Sequence, residues 1–179
     1  MPTGHVFIAT SLDGFIARPS GAIDWLVEGW PEVGHDYGFA EFMDSVDGLV
    51  MGRGTFDKVV TLESWLYTKP VVVMSRTLRK DDIPSALSGK VRVSDAEPAQ
   101  LMAELDREGW RRLYVDGGKI IQSFLREGLI ADMVLTRIPV LLGEGIPLFG
   151  TLAKDIRLAH LKTTAYESGF VQSHYAVES

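Results

Sequence analysis

The sequence predicts an α/β fold: a mixed, mainly parallel sheet covered by helices on both faces and closed by an antiparallel hairpin. Three observations carry this. Apolar, β-branched runs alternate with helix-like segments from Val6 to Val140, the order expected of parallel strands joined by crossover helices. One run, Pro70 to Ser75 (PVVVMS), is too apolar for a sheet with a wet face and suits a central strand covered on both sides. The end of the chain then changes pattern: Ile156 to Tyr166 and Phe170 to Val177 alternate around Glu167-Ser168-Gly169, as a hairpin does.

In order, Val6 to Thr10 reads as a buried first strand, followed by a turn at Ser11-Leu12-Asp13-Gly14. Residues 14–33 carry Gly, Pro, Trp25 and Trp30 without periodicity and read as a long loop, whose aromatic content argues for order. A helix is predicted over 35–45 with Phe39, Phe42 and Met43 on one face, then a strand over Val46 to Met51 and a short helix from Arg53. Lys90 to Ser94 is a short strand. Glu97 to Arg107 is an amphipathic helix with Pro98 in its first turn and Leu101, Met102 and Leu105 inward. Arg112 to Val115 is a strand, Lys119 to Glu127 a helix ended by Gly128, and Asp132 to Val140 a long strand. No repeat, low-complexity tract or linker breaks the pattern, so residues 1–179 are expected to form a single domain.

Composition narrows the function classes. The chain is 46% hydrophobic and 23% charged, with a net charge of −6, and its pI is near 5.2. An acidic chain with scattered Lys and Arg is a poor partner for nucleic acid or an anionic membrane. A small phosphorylated ligand needs only a local basic spot. There is no cysteine, which excludes disulfides, thiolate nucleophiles and thiolate metal sites. His5, His35, His160 and His174 lack ligand-like spacing, so no metal is expected. No stretch approaches the roughly 20 apolar residues of a membrane-spanning helix, and no secretory signal is visible, so the expected location is cytoplasmic.

Two glycine segments carry most of the chemistry: Met51-Gly52-Arg53-Gly54-Thr55 and Val115-Asp116-Gly117-Gly118-Lys119. Each follows a strand and opens a helix, where free N–H groups and the helix dipole favour an anion. Two such junctions suggest one extended ligand with several phosphates, of which a nicotinamide dinucleotide is the obvious example. For the first segment, a plain strand-to-helix turn with Thr55 as N-cap is an equal reading. In the second, adjacent glycines remove both Cβ atoms where a pyrophosphate would lie, although the G-x-G-x-x-G fingerprint is absent. Ser75-Arg76-Thr77 follows the central strand at its carboxyl end. Arg76 there can pair with a 2′-phosphate or can belong to a solvated turn. Among the acids, Asp36 stands at the start of a helix facing the sheet, where an N-cap role competes with a chemical one.

These segments together resemble the dihydrofolate reductase-like superfamily, and within it the reductase domain of riboflavin-biosynthesis deaminase-reductases and their stand-alone relatives. Ala9 to Ala17 is similar to its "SLDG-x-IA" opening, and Met51-Gly52-Arg53-Gly54-Thr55 to its "MGR-x-T" segment. Val71 to Arg76, Tyr114 to Gly118, Leu129 to Asp132 and Ile138 to Gly143 resemble the later segments in order. The resemblance implies a three-layer α/β/α sandwich of dihydrofolate reductase type and an NADPH-dependent oxidoreductase, commonly a homodimer, acting on a small molecule. It implies that Gly52, Arg53, Gly54 and Thr55 hold the adenine-side phosphates. Ser75 and Arg76 would meet the 2′-phosphate, Gly117, Gly118, Lys119 and Ile120 the pyrophosphate, and Ala9 and Ile16 the nicotinamide.

Asp36 is the candidate catalytic acid, with Thr136 in support on a later strand and Asp13 as a further substrate-side residue. The implied reaction resembles that of 5-amino-6-(5-phosphoribosylamino)uracil reductase. A dihydrofolate or pteridine reductase, a flavoprotein and a non-catalytic nucleotide-binding module are the alternatives. A deaminase half is absent, since that domain needs Pro-Cys-x-x-Cys.

Overall fold

The computed structural model describes residues 1–30 and 34–178. Its strands are β1 (Thr3–Ser11), β2 (Phe15–Ala17), β3 (Gly48–Gly52), β4 (Val71–Met74), β5 (Val91–Ser94), β6 (Arg112–Asp116), β7 (Ile130–Ile138), β8 (Ile146–Pro147), β9 (Leu158–Ala165) and β10 (Val171–Val177). Its α-helices are α1 (Asp24–Val27), α2 (Phe39–Asp44), α3 (Arg53–Val59), α4 (Pro98–Arg107) and α5 (Gly118–Arg126). Eight strands form one sheet in the order β5-β4-β3-β6-β1-β7-β10-β9. Pairing is parallel from β5 across to β7, and antiparallel for β7 with β10 and β10 with β9.

Strand alternation sends side chains to two cores. Val6, Val50, Val72, Leu113 and Val115 pack with Leu101, Met102 and Leu105 of α4 and with Ile121 and Phe124 of α5. Leu49, Met51, Val71, Val73 and Tyr114 pack on the opposite face with Phe39 and Phe42 of α2 and Phe56 of α3. This is the three-layer α/β sandwich the sequence predicts, and Val71, Val72 and Val73 of the PVVVMS run are buried on alternate faces as expected. A third cluster joins Trp25, Ile138 and Phe170, with Ala9, Trp30 and Tyr37 against it. No helix among the described residues is long and apolar enough to cross a membrane.

The predicted 14–33 loop contains two short elements, and its residues 31–33 lie outside the described part. β2 exists because it pairs antiparallel with β8, a partner more than a hundred residues on. α1 is a single turn whose Asp24 receives two hydrogen bonds from Arg18, at 2.7 and 2.8 Å, while Trp25 is buried. α2 begins four residues later than predicted because Gly38 (φ 86°) is left-handed and stops the helix from extending backwards. β7 ends at Ile138, before Pro139, which has no N–H for the ladder.

Candidate active site at the carboxyl ends of the strands

Parallel strands direct their carboxyl ends, and the amino ends of the helices that follow, to one rim of the sheet. β3 and β6 are neighbours, with Met51 opposite Asp116, so the two glycine segments meet there although they lie far apart in sequence. Gly117 has φ 91°, and a Cβ on it would lie 2.6 Å from Thr55 Oγ1 and 3.8 Å from Gly52 N. One turn thus nests against the other, and only glycine permits both the backbone conformation and the approach. A Cβ on Gly52 would lie 3.0 Å from Ile120 Cγ1, and one on Gly118 would lie 2.8 Å from Pro147 O and 3.1 Å from Ile16 Cδ1. Gly52, Thr55, Gly117, Gly118, Ile16 and Ile120 therefore share one surface.

Gly54 differs from these. It lies inside α3 with ordinary φ, and nothing stands within 4 Å of where its Cβ would be. Packing and backbone do not require glycine there, which costs an exposed helix about 1 kcal/mol relative to alanine. The space it leaves open lies over the first turn of α3. Beside it, Arg53 Nη1 donates to Thr77 Oγ1 at 2.9 Å and Arg53 Nε reaches Asp57 at 3.4 Å. Ser75 Oγ accepts from the N–H groups of Thr77 and Leu78, at 3.2 and 3.0 Å, which shapes the turn after β4. Arg76 is largely exposed and donates to Glu97 across the surface. Lys119 is exposed at the start of α5.

Ala9 lies at the inner end of this rim, against the Trp25–Ile138–Phe170 cluster. On the same face of the sheet β6 ends in Asp116, whose Oδ1 accepts from Gly117 N at 2.8 Å. Burial pushes the Asp116 carboxyl up to about 6, and the Gly117 N–H only partly offsets this. Burial and the nearby Asp116 raise Tyr67 and Tyr114 in turn, so both phenols stay neutral. The sequence reading used Asp116 only as part of the turn and missed it as an acid. The available signal was an acidic residue ending an otherwise apolar strand in mid-sheet.

The three substrate-side candidates are each engaged within the chain. Asp36 is exposed and spends both oxygens on the entry to α2, accepting from Gly38 N and Ala40 N at 3.0 Å each. Those N–H groups hold its carboxyl below the usual range, so it is an ionised cap and not a proton reservoir. Thr136 is buried but does not touch Asp36: its hydroxyl accepts from Gln172 Nε2 at 3.0 Å, and that amide also donates to Tyr37 O. Asp13 accepts from Ser11 Oγ at 2.6 Å, Leu142 N at 3.1 Å and Gly143 N at 2.8 Å. It clips the β1–β2 turn to the loop after β7, and the Ser11 hydroxyl and these amides lower its pKa. Gly143, the end of the Ile138–Gly143 segment, is held by this clip.

Comparison with known proteins places the chain. The family model described as the RibD C-terminal domain matches residues 2–172. The uncharacterized protein YwjB of Bacillus subtilis (strain 168) is 33% identical over 171 residues, 95% of either chain. The riboflavin biosynthesis protein RibD of Corynebacterium ammoniagenes is 28% identical over 166 residues, which is 80% of this chain and 46% of that one. A solved structure from Shewanella sp. PV-4, assigned to riboflavin biosynthesis, superposes with a TM-score of 0.92 at 41% identity over 99% of both chains. A deaminase/5-amino-6-(5-phosphoribosylamino)uracil reductase from Thermotoga maritima shares the fold at 14% identity, with a TM-score of 0.76 over 99% of this chain and 57% of that one. A family match across nearly the whole length, on the α/β frame and glycine rim described above, makes this chain a member of the RibD C-terminal domain family.

Proposed function

We propose that the protein is an NADPH-dependent reductase that passes hydride to a pyrimidine- or pteridine-type substrate, as a 5-amino-6-(5-phosphoribosylamino)uracil reductase does. The observation that carries the reading is the nesting of the Gly117 turn against Gly52 and Thr55, with the space over Gly54 left open. That rim suits an extended ligand with phosphates at both helix starts. The neighbouring Arg53, Ser75, Thr77 and Arg76 suit a third phosphate, the group that separates NADPH from NADH.

Bound NADPH would supply hydride from C4 of its nicotinamide. The residues around it position and protonate. Ile16 and Gly118, which approach one another, would lie under the ring, with Ala9 at the inner end of the rim. Gly117 N–H fixes Asp116 Oδ1 and leaves Oδ2 to carry the proton. A carboxyl with a pKa near 6 holds that proton over part of the neutral range and can deliver it to the acceptor atom. Trp25, Ile138 and Phe170 pack beside Ala9 and close the apolar end of the rim.

The test is isothermal titration of NADPH and NADH into the purified protein, with Gly117→Val and Arg76→Ala beside it. Saturable NADPH binding is expected, lost in Gly117→Val and weakened in Arg76→Ala. No binding of either nucleotide overturns the reading. Binding with no oxidation across a panel of pteridines and aminopyrimidines replaces it with a nucleotide-binding module.

A further inference from the structure

A groove of about 400 Å³ lies on the sheet face beside α2, away from the glycine rim. Its floor is a cross-strand row of Val134, His174 and Lys162 from β7, β10 and β9. Phe7 and Phe42, with ring centroids 5.1 Å apart, line one side. Phe42 also stacks on Tyr114 at 5.1 Å, so an aromatic wall stands between the groove and Asp116. Arg112 opens β6 and Asp116 closes it. Four residues of strand therefore separate the groove's cation from the rim by about 13 Å.

The charges here are arranged but not neutralised. Arg112 Nε donates to Ser45 O at 3.0 Å, which fixes the guanidinium and leaves its outer nitrogens available. Among the described residues, no ion pair engages Arg112 or Lys162. His174 Nε2 lies 3.4 Å from Asp132 Oδ1 without completing a hydrogen bond. Asp132 itself is taken by His5, whose Nδ1–H donates to Oδ2 at 2.7 Å. Across the groove, on α2, stands Glu41.

We infer that this groove is a second small-molecule site, separate from the reductase centre, for a planar aromatic carboxylate with a hydroxyl or amino group on its ring. The ring lies against Phe7 and Phe42. Its carboxylate meets the fixed guanidinium of Arg112, which matches it with two parallel donors, and the ammonium of Lys162. The ring substituent donates to Glu41. The volume suits one substituted ring and lies within the usual range of ligand pockets. None of this depends on the reductase reading.

The test is isothermal titration of 4-hydroxybenzoate, benzoate and 4-hydroxybenzamide into the wild-type protein, Lys162→Glu, Arg112→Gln and Glu41→Gln. We expect saturable binding of 4-hydroxybenzoate, at least tenfold weaker for the uncharged amide and for Lys162→Glu. Glu41→Gln should remove the preference for 4-hydroxybenzoate over benzoate. Thermal unfolding checks that each variant is folded, and Arg112→Gln, expected to weaken 4-hydroxybenzoate at least tenfold as well, carries the test should Lys162→Glu fail to fold. Absence of saturation, equal affinity for the amide, or unchanged affinity in the variants overturns the proposal. So does sedimentation showing a dimer that Lys162→Glu dissociates, because a second copy would then fill the groove.

Discussion

Asp116 and Asp132 stand on the same face of one sheet, two strands apart, and their carboxyls are shifted in opposite directions. Asp116 receives one backbone N–H, and burial raises it to about 6. Asp132 is also penalised by burial. The hydrogen bond from His5 and the charges of His5, His174 and Arg112 outweigh this and hold it below the usual range. The difference lies in both depth and partners: Asp116 is the more deeply buried and has one N–H, while Asp132 is partly buried and has His5 beside it. An acid left without a cation at the carboxyl rim is poised to hold a proton, whereas one hydrogen-bonded by His5 at the amino end is a structural anchor. Ligand chemistry is expected at the same rim.

The sharpest way to break this contrast is Asp116→Asn. If Asp116 protonates the substrate, turnover should fall about a hundredfold or more, read as single-turnover NADPH oxidation. The same variant has a signed effect on stability. A folded pKa raised to about 6 from an unfolded 3.8 means that native Asp116 costs stability as pH rises through that window. Asp116→Asn should therefore be more stable than the parent at pH 7, by up to about 3 kcal/mol, and equal to it at pH 3.5. Urea unfolding at the two pH values checks this, and a loss of stability at pH 7 would contradict it.

Asp132→Asn should move stability the other way. Its lowered pKa supplies stability that is present above the unfolded value and lost as pH falls through the folded one. A cost of about 1–3 kcal/mol at pH 7, shrinking on acidification with hydride transfer unaffected, is the expected outcome. Next is Arg76→Ala, which should weaken NADPH about tenfold, roughly 1.4 kcal/mol, and leave NADH and unfolding unchanged. Its exposed pairing with Glu97 competes with a phosphate for the same guanidinium, so Glu97→Gln should tighten NADPH slightly. The smallest effect is expected from Asp36→Ala: a small drop in the urea midpoint for the lost cap, with unchanged turnover. A large drop in turnover would return Asp36 to the chemistry.

What could be read from the sequence follows from how local each determinant is. β4, α4, α5 and the β9–β10 hairpin announce themselves because hydrophobic period and turn residues lie within the element. β2 and β8, three and two residues long, exist only because each completes the other. α1 depends on Arg18 reaching Asp24. At the rim, the glycines were legible because they are local punctuation. The nesting of Gly117 on Thr55 needed β3 and β6 to become neighbours. Asp13 and Asp116 look alike on paper: one carries three hydrogen-bond donors and the other is buried with one, and both facts belong to the folded chain.

The central position of β1 constrains how the molecule is made. Within this domain β1 precedes the other strands, yet its two neighbours, β6 and β7, begin only at Arg112 and Ile130. On a ribosome the amino-terminal strand must wait, edges unpaired, until most of the chain has emerged. Contacts of such long sequence separation slow folding, because the loop must close before the contact forms. During that wait, the nascent strand Val6-Phe7-Ile8-Ala9 is the segment a chaperone would most usefully shield.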